Sequence, residues 1–127
     1  MKIIGHGVDL VTIDRVAKSL STHGDRFRER VFTPSEAAYC DDSRKPAQHF
    51  AARFAAKEAV LKALGTGWSR GIAWTDIEVV LLPSGAPTVR ITGQAAEIAS
   101  ASGITGWFLS ISHTDGVAMA SVIAVAD

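Results

Sequence analysis

The chain reads as an α+β domain with a mainly antiparallel sheet and one long buried helix. Three observations predict this. Two pairs of β-rich runs, IEVVLLP with APTVRIT and GWFLSISHT with VAMASVIAV, are joined at Ser84-Gly85 and Asp115-Gly116, and Asp-Gly is a strong two-residue hairpin signal. Residues 46–64 make one alanine- and leucine-rich helical run that ends at Gly65. The Ile- and Val-rich opening, KIIGHGVDLV, adds a further strand ahead of the helices.

In chain order, residues 2–11 form the first strand and residues 12–22 turn helical. TPSEAAY reads as a helix start, with Thr33 as N-cap, Pro34 at the first position and Glu36 completing a capping box. The long helix over 46–64 follows, then the first hairpin, a short Ala-rich helix over about 93–102, and the second hairpin. No linker or repeat divides residues 1–127, a length that suits one domain with one core.

Composition narrows the class. Hydrophobic residues are 47% and charged residues 20%, which excludes a disordered chain. A formal net charge of zero argues against a general nucleic-acid binder. Charge is uneven, however: over residues 15–30, Arg15, Lys18, Arg26, Arg28 and Arg30 face only Asp25 and Glu29. This is either a solvated helix face or a docking patch for an acidic partner. Cys40 is the single cysteine, so no intrachain disulfide can form and a reducing compartment fits. The first residues lack the apolar core of a signal peptide, and VAMASVIAVA is about half of the ~20 residues a membrane span needs, so a cytoplasmic protein is expected.

The 46–64 helix carries the chemistry. On a helical wheel Phe50, Phe54, Val60, Leu61 and Leu64 share one arc, and alanines cover most of the opposite side. A helix apolar nearly all round is a buried one. Yet it holds Arg53 and Lys57 within the large-residue arc and Glu58 and Lys62 at its edge. Glu58 and Lys62, spaced i, i+4, form either an ordinary surface pair or part of a site where a carboxylate meets a metal and lysines meet phosphate. The Gly65-Thr66-Gly67 turn favours the second reading, because small residues let backbone N–H groups approach an anion.

Two more elements suit the same chemistry. Asp9 interrupts an apolar strand just after Gly5 and Gly7, as a turn residue or a hard-cation ligand. Aspartate and glutamate with water and phosphate oxygens make a typical magnesium site. SISHT places Ser112, His113 and Thr114 at a hairpin tip, better suited to phosphate hydrogen bonds than to nucleophilic catalysis. One cysteine and four scattered histidines give no zinc spacing. The residues alone thus lead to a protein that binds a phosphate-bearing ligand through magnesium and basic side chains.

GHGVDLVTIDRV, RVFTPSE, FAARFAAKEAVLKALGTG, DIEVV with PSGAPTV, and LSISHTDGVAMASVIA, in that order, resemble the holo-acyl-carrier-protein synthase family of small phosphopantetheinyl transferases. The resemblance implies a homotrimer with active sites between subunits and Mg2+ as cofactor. It implies transfer of 4′-phosphopantetheine from coenzyme A to a serine of apo acyl carrier protein, releasing adenosine 3′,5′-bisphosphate and supporting fatty acid biosynthesis. By resemblance Asp9 and Glu58 are metal ligands, and Lys62 neutralises phosphate charge with His113 stabilising the transition state. Arg53, Lys57, Gly65, Thr66, Gly67, Ser112, His113 and Thr114 fall around the nucleotide phosphates, and Ser84, Gly85 and Pro87 add contacts from the first hairpin. Arg15, Arg26 and Arg30 match basic positions that meet the acidic carrier. His6 and Ala86 depart from the pattern, where a branched aliphatic residue and a lysine are common. Two rival readings keep the site: a metal-dependent nucleotide phosphohydrolase, and a non-enzymatic trimeric nucleotide-binding module.

Overall fold

The structure, a computed structural model, describes residues 1–68 and 70–127. Strand β1 (Lys2–Thr12) leads into helices α1 (Ile13–Val31), α2 (Pro34–Asp41) and α3 (Pro46–Leu64). A short 3-10 turn (Trp74–Asp76) precedes the hairpin β2 (Ile77–Leu81) and β3 (Pro87–Ile91), helix α4 (Gly93–Ala101), and the hairpin β4 (Gly106–Thr114) and β5 (Val117–Ala126). The strands form two antiparallel sheets, β1–β5–β4 and β2–β3. The α+β class and both hairpins stand as the turn residues predict.

Helix ends follow their local chemistry. Glu36 N donates to Thr33 Oγ1 at 3.2 Å and Thr33 N donates to Glu36 Oε1 at 3.0 Å, the reciprocal capping box expected at α2. Gly65 closes α3 in the left-handed region at φ 76°. Helix α1 runs nine residues beyond the expected end at 22. It does so across a break at Gly24, whose φ of 53° and ψ of −131° are open to glycine but not to other residues. Helix propensity reads that glycine as a stop, but the chain uses it as a joint between two helical arms.

Helix α3 is enclosed on both sides. Its large side packs on aromatic rings from α1, α2 and the 3-10 turn: Phe50 lies edge-on to Phe32 at 4.8 Å, and Phe54 stacks on Trp74 at 5.3 Å. Its alanine side faces the three-stranded sheet, where β5 turns Ala118, Ala120, Val122 and Ala124 inward, all fully buried. Small residues on both surfaces let helix and sheet approach closely. Gly5 and Gly7 of β1 make the same approach to the α3 backbone. A β-carbon at Gly7 would sit 2.0 Å from the Ala59 carbonyl oxygen, and one at Gly5 2.1 Å from that of Ala63. Both are backbone atoms and cannot swing aside. Gly7→Ala is therefore expected to cost at least about 3 kcal/mol of stability in urea unfolding, and to lower activity further by pushing β1, which carries Asp9, away from α3.

One expectation is corrected. An all-round apolar helix in a 127-residue chain with one sheet leads to the expectation that a neighbouring subunit helps to bury it, because one sheet leaves a side uncovered. The single chain buries it already: Ala51, Ala55, Ala56, Ala59 and Val60 have no exposed surface. The aromatic layer of α1, α2 and the 3-10 turn supplies the second cover. Apolar surface is left bare on the outer face of the large sheet. Alternation puts Val8, Leu10, Phe108 and Met119 there, with Leu10 65% and Phe108 53% exposed.

Candidate active site

The first constellation lies where β1 crosses α3. Asp9 occupies the same face of β1 as Gly7 and Val11, so its carboxylate is on the helix side of the sheet. Lys62 Nζ donates to Asp9 Oδ1 at 3.2 Å and to Val8 O at 2.8 Å. Lys62 thus reaches across to β1, and the ion pair it makes is with Asp9, not with Glu58 one turn before it on the helix. Glu58 is half-buried beside them. Burial pushes its carboxyl above the ordinary value, the negative charge of Asp9 pushes it further, and Lys62 and Arg15 pull the other way. A carboxyl whose ionisation is opposed by a neighbouring carboxylate, with two cations close by, is arranged for a ligand that carries both positive and negative charge.

The donor set fits a divalent hard cation. Both groups are carboxylates, and the charge of Asp9 that pushes the Glu58 carboxyl upward is what a cation would relieve. No third histidine, cysteine or acidic side chain joins them among the described residues. Magnesium keeps several positions for water and phosphate oxygens, so two protein carboxylates suffice. The Gly65-Thr66-Gly67 turn follows one turn beyond Lys62, with Gly65 and Gly67 at positive φ. Neither glycine has an atom within 4 Å of where a β-carbon would sit, leaving its backbone open to approach.

A second constellation lies between the start of α3, strand β4 and the small hairpin. A cleft of about 200 Å³ is lined by Tyr39, Gln48, His49, Arg53, Pro87 and His113, among others. Arg53 lies over the Tyr39 ring at 4.3 Å, and its buried Nε has no hydrogen-bond partner. An orphaned guanidinium N–H at a cleft marks a place for an anion. His49 packs edge-on to Tyr39 at 5.6 Å, and burial, Arg53 and His113 together push its imidazole below the ordinary value. Gln48 Nε2 lies 3.2 Å from His113 Nε2. Arg44 and Lys45 border the adjoining surface with Gln48 and His49.

The sequence-predicted residues divide between these places. Asp9, Glu58 and Lys62 come together, with Arg15 near enough to act on Glu58. Arg53, Pro87 and His113 line the second cleft. Ser84 and Gly85 form the tip of the β2–β3 hairpin, where Ala86 N donates to Ser84 Oγ at 3.3 Å and Gly85 takes φ 90°. The Ser-His-Thr run is part of strand β4 up to Thr114, not a loop tip, and strand alternation splits it. His113 is on the helix side, and Ser112 and Thr114 are on the outer face, opposite Met119 and Val117. His113 shares its side with Asp9 but lies on the far edge strand, roughly 10 Å across β5.

Lys57 belongs to neither constellation. It is fully buried, and its ammonium donates to Glu36 Oε1 at 2.8 Å, to Trp74 O at 3.3 Å and to Ile77 O. All three N–H donors are taken, leaving none for a phosphate, so the expected ligand role is replaced by a tie between α3, α2 and β2. Of the basic residues on α1, Arg26 is exposed, Arg30 lies over the Trp68 ring at 5.2 Å, and Arg28 is paired with Asp41. Gln48, His49 and Tyr39 were not singled out from the sequence. The signal was present in RKPAQHFAAR, where His49 and Arg53 share a helix face at i, i+4.

A sequence model of the 4′-phosphopantetheinyl transferase superfamily matches residues 5–120. The chain belongs to that superfamily. Curated relatives agree with this membership. It is 46% identical over 121 residues to the holo-(acyl-carrier-protein) synthase of Solibacter usitatus, covering 95% of this chain and 97% of that one. It is 49% identical over 123 residues to that of Desulforudis audaxviator, covering 97% and 93%. Among solved structures, the Helicobacter pylori holo-(acyl-carrier-protein) synthase in complex with coenzyme A superposes with a TM-score of 0.83 at 32% identity, covering 94% of this chain and 99% of that one. The Neisseria meningitidis synthase gives 0.87 at 32%, covering 97% and 98%. This phosphopantetheinyl transferase is therefore a transferase of substituted phosphate groups. No helix among its described residues is long and apolar enough to cross a membrane.

Proposed function

We propose that this transferase moves 4′-phosphopantetheine from coenzyme A to a serine of apo acyl carrier protein, in the cytoplasm and with Mg2+, as a step that equips fatty acid biosynthesis. The observation that carries the reading is the Asp9–Glu58–Lys62 constellation in a chain whose relatives are named holo-(acyl-carrier-protein) synthase. The serine oxygen of the carrier attacks the β-phosphorus of coenzyme A as its proton passes to a base, Glu58 or a group on the carrier. The pyrophosphate P–O bond to the nucleotide breaks, and adenosine 3′,5′-bisphosphate leaves. Asp9 and Glu58 hold the magnesium, which when bound neutralises phosphate charge and polarises the phosphorus. Lys62, next to Asp9, places a further positive charge where charge grows in the transition state. Arg53 and His113, in the second cleft, bind the nucleotide end, with Pro87 against it. Mass spectrometry of apo acyl carrier protein incubated with coenzyme A and magnesium tests the reading. A gain of one phosphopantetheine group supports it. Pantetheine phosphate released to water would make the chain a hydrolase, and unchanged coenzyme A would make it a binding module.

The acidic carrier docks on α1, through Arg15, Arg26 and Arg30. Changing Arg26 and Arg30 to glutamate should raise the apparent KM for the carrier about tenfold and leave coenzyme A binding unchanged, and added salt should reproduce the effect on the parent enzyme. Loss of coenzyme A affinity, or a KM insensitive to salt, would remove the docking role.

The working form is a homotrimer. The bare outer face of the large sheet supports this, because Leu10, Phe108 and Met119 form an apolar surface that other copies can cover. The same assembly reconciles the divided site, with the metal cluster of one chain adjoining the nucleotide cleft and outer-face hydroxyls of another. Light scattering at micromolar concentration should give three times the chain mass, and Phe108→Glu should give monomers with little activity. A parent protein that is monomeric under these conditions sinks the proposal.

A further inference from the structure

We propose that Trp68 is a positioning residue for Arg30, holding its guanidinium flat with the N–H edge free to take a carboxylate of the acyl carrier protein. Arg30 lies over the Trp68 ring, 5.2 Å from its centre. That ring is itself held in place. It stacks on Trp74 with 5.8 Å between centres and only 12° between planes, and Trp74 stacks in turn on Phe54 of α3 at 5.3 Å. Beyond the break at Gly24, the second arm of α1 follows this aromatic layer. Phe27 packs on Phe32 at 5.9 Å and on Phe54 at 6.4 Å, and Arg30, three residues on, shares that face of the helix. Arg30 is exposed, and none of the ion pairs among the described residues uses it, whereas Arg28 on the same arm is paired with Asp41. A guanidinium stacked on a ring keeps its in-plane donors, and a carboxylate binds those donors edge-on, two at a time. The charge of Arg30 is thus fixed in orientation and left without an internal partner.

This role rests on the carrier-docking reading above and deepens it. Trp68 directly follows Gly67, the last residue of the turn read as facing phosphate. Near the other end of α1, Arg15 acts on Glu58 at the metal cluster. The two arms of α1 therefore border the site at both places, and a carrier laid along α1 brings acidic side chains to Arg30 as its serine approaches the phosphates. Because Trp68 already holds the guanidinium, less side-chain freedom is lost when the carrier docks.

Binding of labelled apo acyl carrier protein, followed by fluorescence anisotropy, tests the proposal without catalysis. Trp68→Ala should weaken carrier binding about two- to fivefold, the range an exposed cation–ring contact supplies, and Trp68→Phe should restore most of it. Coenzyme A binding should stay at the parental level in both variants, which a merely structural collapse of the 65–67 turn would not allow. In an Arg30→Ala background, Trp68→Ala should have no further effect on carrier binding. Trp68 is 49% exposed, so its truncation leaves the core intact. NMR of the parent protein adds a check that needs no variant: the ring current of Trp68 should move the side-chain methylene protons of Arg30 upfield. Arg30 methylene protons at ordinary positions, a Trp68→Ala variant that binds the carrier as the parent does, or losses from Trp68→Ala and Arg30→Ala that simply add would overturn the role of Trp68. A carrier that binds with this coupling yet gains no phosphopantetheine removes the transfer reading and keeps the role of Trp68. A carrier that is modified but indifferent to Trp68 does the reverse.

Discussion

Asp9→Ala and Glu58→Ala are each expected to reduce transfer by on the order of 10²–10³-fold or more, with the fold intact. These carboxylates face each other across the β1–α3 junction, and among the described residues no third acidic side chain is placed to take over from either. Excess magnesium should restore activity only in part, since the lost oxygen ligand can be replaced by water but its charge cannot. Glu58→Gln makes the test sharper, because activity and stability should move in opposite directions. Burial and the charge of Asp9 hold the folded-state pKa of Glu58 above its ordinary 4.5. A carboxyl shifted upward stabilises the fold while it is protonated, below that ordinary value, and the contribution is lost as pH rises through the folded-state value. At neutral pH and without metal, the ionised Glu58 is therefore a cost. Glu58→Gln should melt slightly higher than the parent, by less than about 1 kcal/mol because the site is partly open to water, while being nearly inactive. Metal-free thermal melts at pH 4 and pH 7 check the sign: the difference should appear at the higher pH and shrink at the lower. Near-normal transfer by any of these variants would mean that Asp9 and Glu58 do not hold the metal.

Lys57→Met is expected to cost about 3–5 kcal/mol of stability. The side chain fits the space, but the change strands a buried carboxylate. Glu36 is fully enclosed, and its Oε1 accepts from Lys57 while its Oε2 accepts from Val79 N at 2.8 Å. Without the ammonium, the charge of Glu36 stays in the core with only backbone donors, and the carbonyls of Trp74 and Ile77 lose theirs. Burial holds the Lys57 ammonium below the usual lysine range despite Glu36, so the lysine depends on its partner as much as the carboxylate does. Urea unfolding of Lys57→Met, Glu36→Gln and the pair should show strong coupling, with the double variant far more stable than the sum of the single losses predicts. Additive losses would mean that the two residues act independently. Because Lys57 adjoins Glu58 on α3, activity should fall with stability in this variant, and coenzyme A binding should follow the folded fraction rather than vanish.

Local chemistry in the sequence determined much of this protein. Asp115-Gly116 and Ser84-Gly85 placed the hairpins because tight turns need residues that tolerate positive φ. Thr33, Pro34 and Glu36 placed the start of α2, and Gly65 the end of α3, because each satisfies backbone groups within a few residues. The wheel of α3 showed burial on all sides, and Asp9, Glu58 and Lys62 stood out as charges inside apolar elements. What covers α3, and which partner each charge finds, are relations between segments far apart in the chain, and the tertiary structure alone decided them. Lys57 and Lys62 have the same chemistry and are five residues apart, yet one is sealed against Glu36 and the other reaches Asp9. The difference lies in which side of α3 meets the aromatic layer and which meets the open edge of β1. Likewise Ser112, His113 and Thr114 read as one group, but a strand sends neighbouring side chains to opposite faces. Gly7 reads as mere flexibility before Asp9, until a helix carbonyl lies 2.0 Å from where its β-carbon would be. Propensity, capping and turn chemistry act over a few residues and can be read along the chain, whereas burial and pairing depend on packing between elements that only the folded chain brings together.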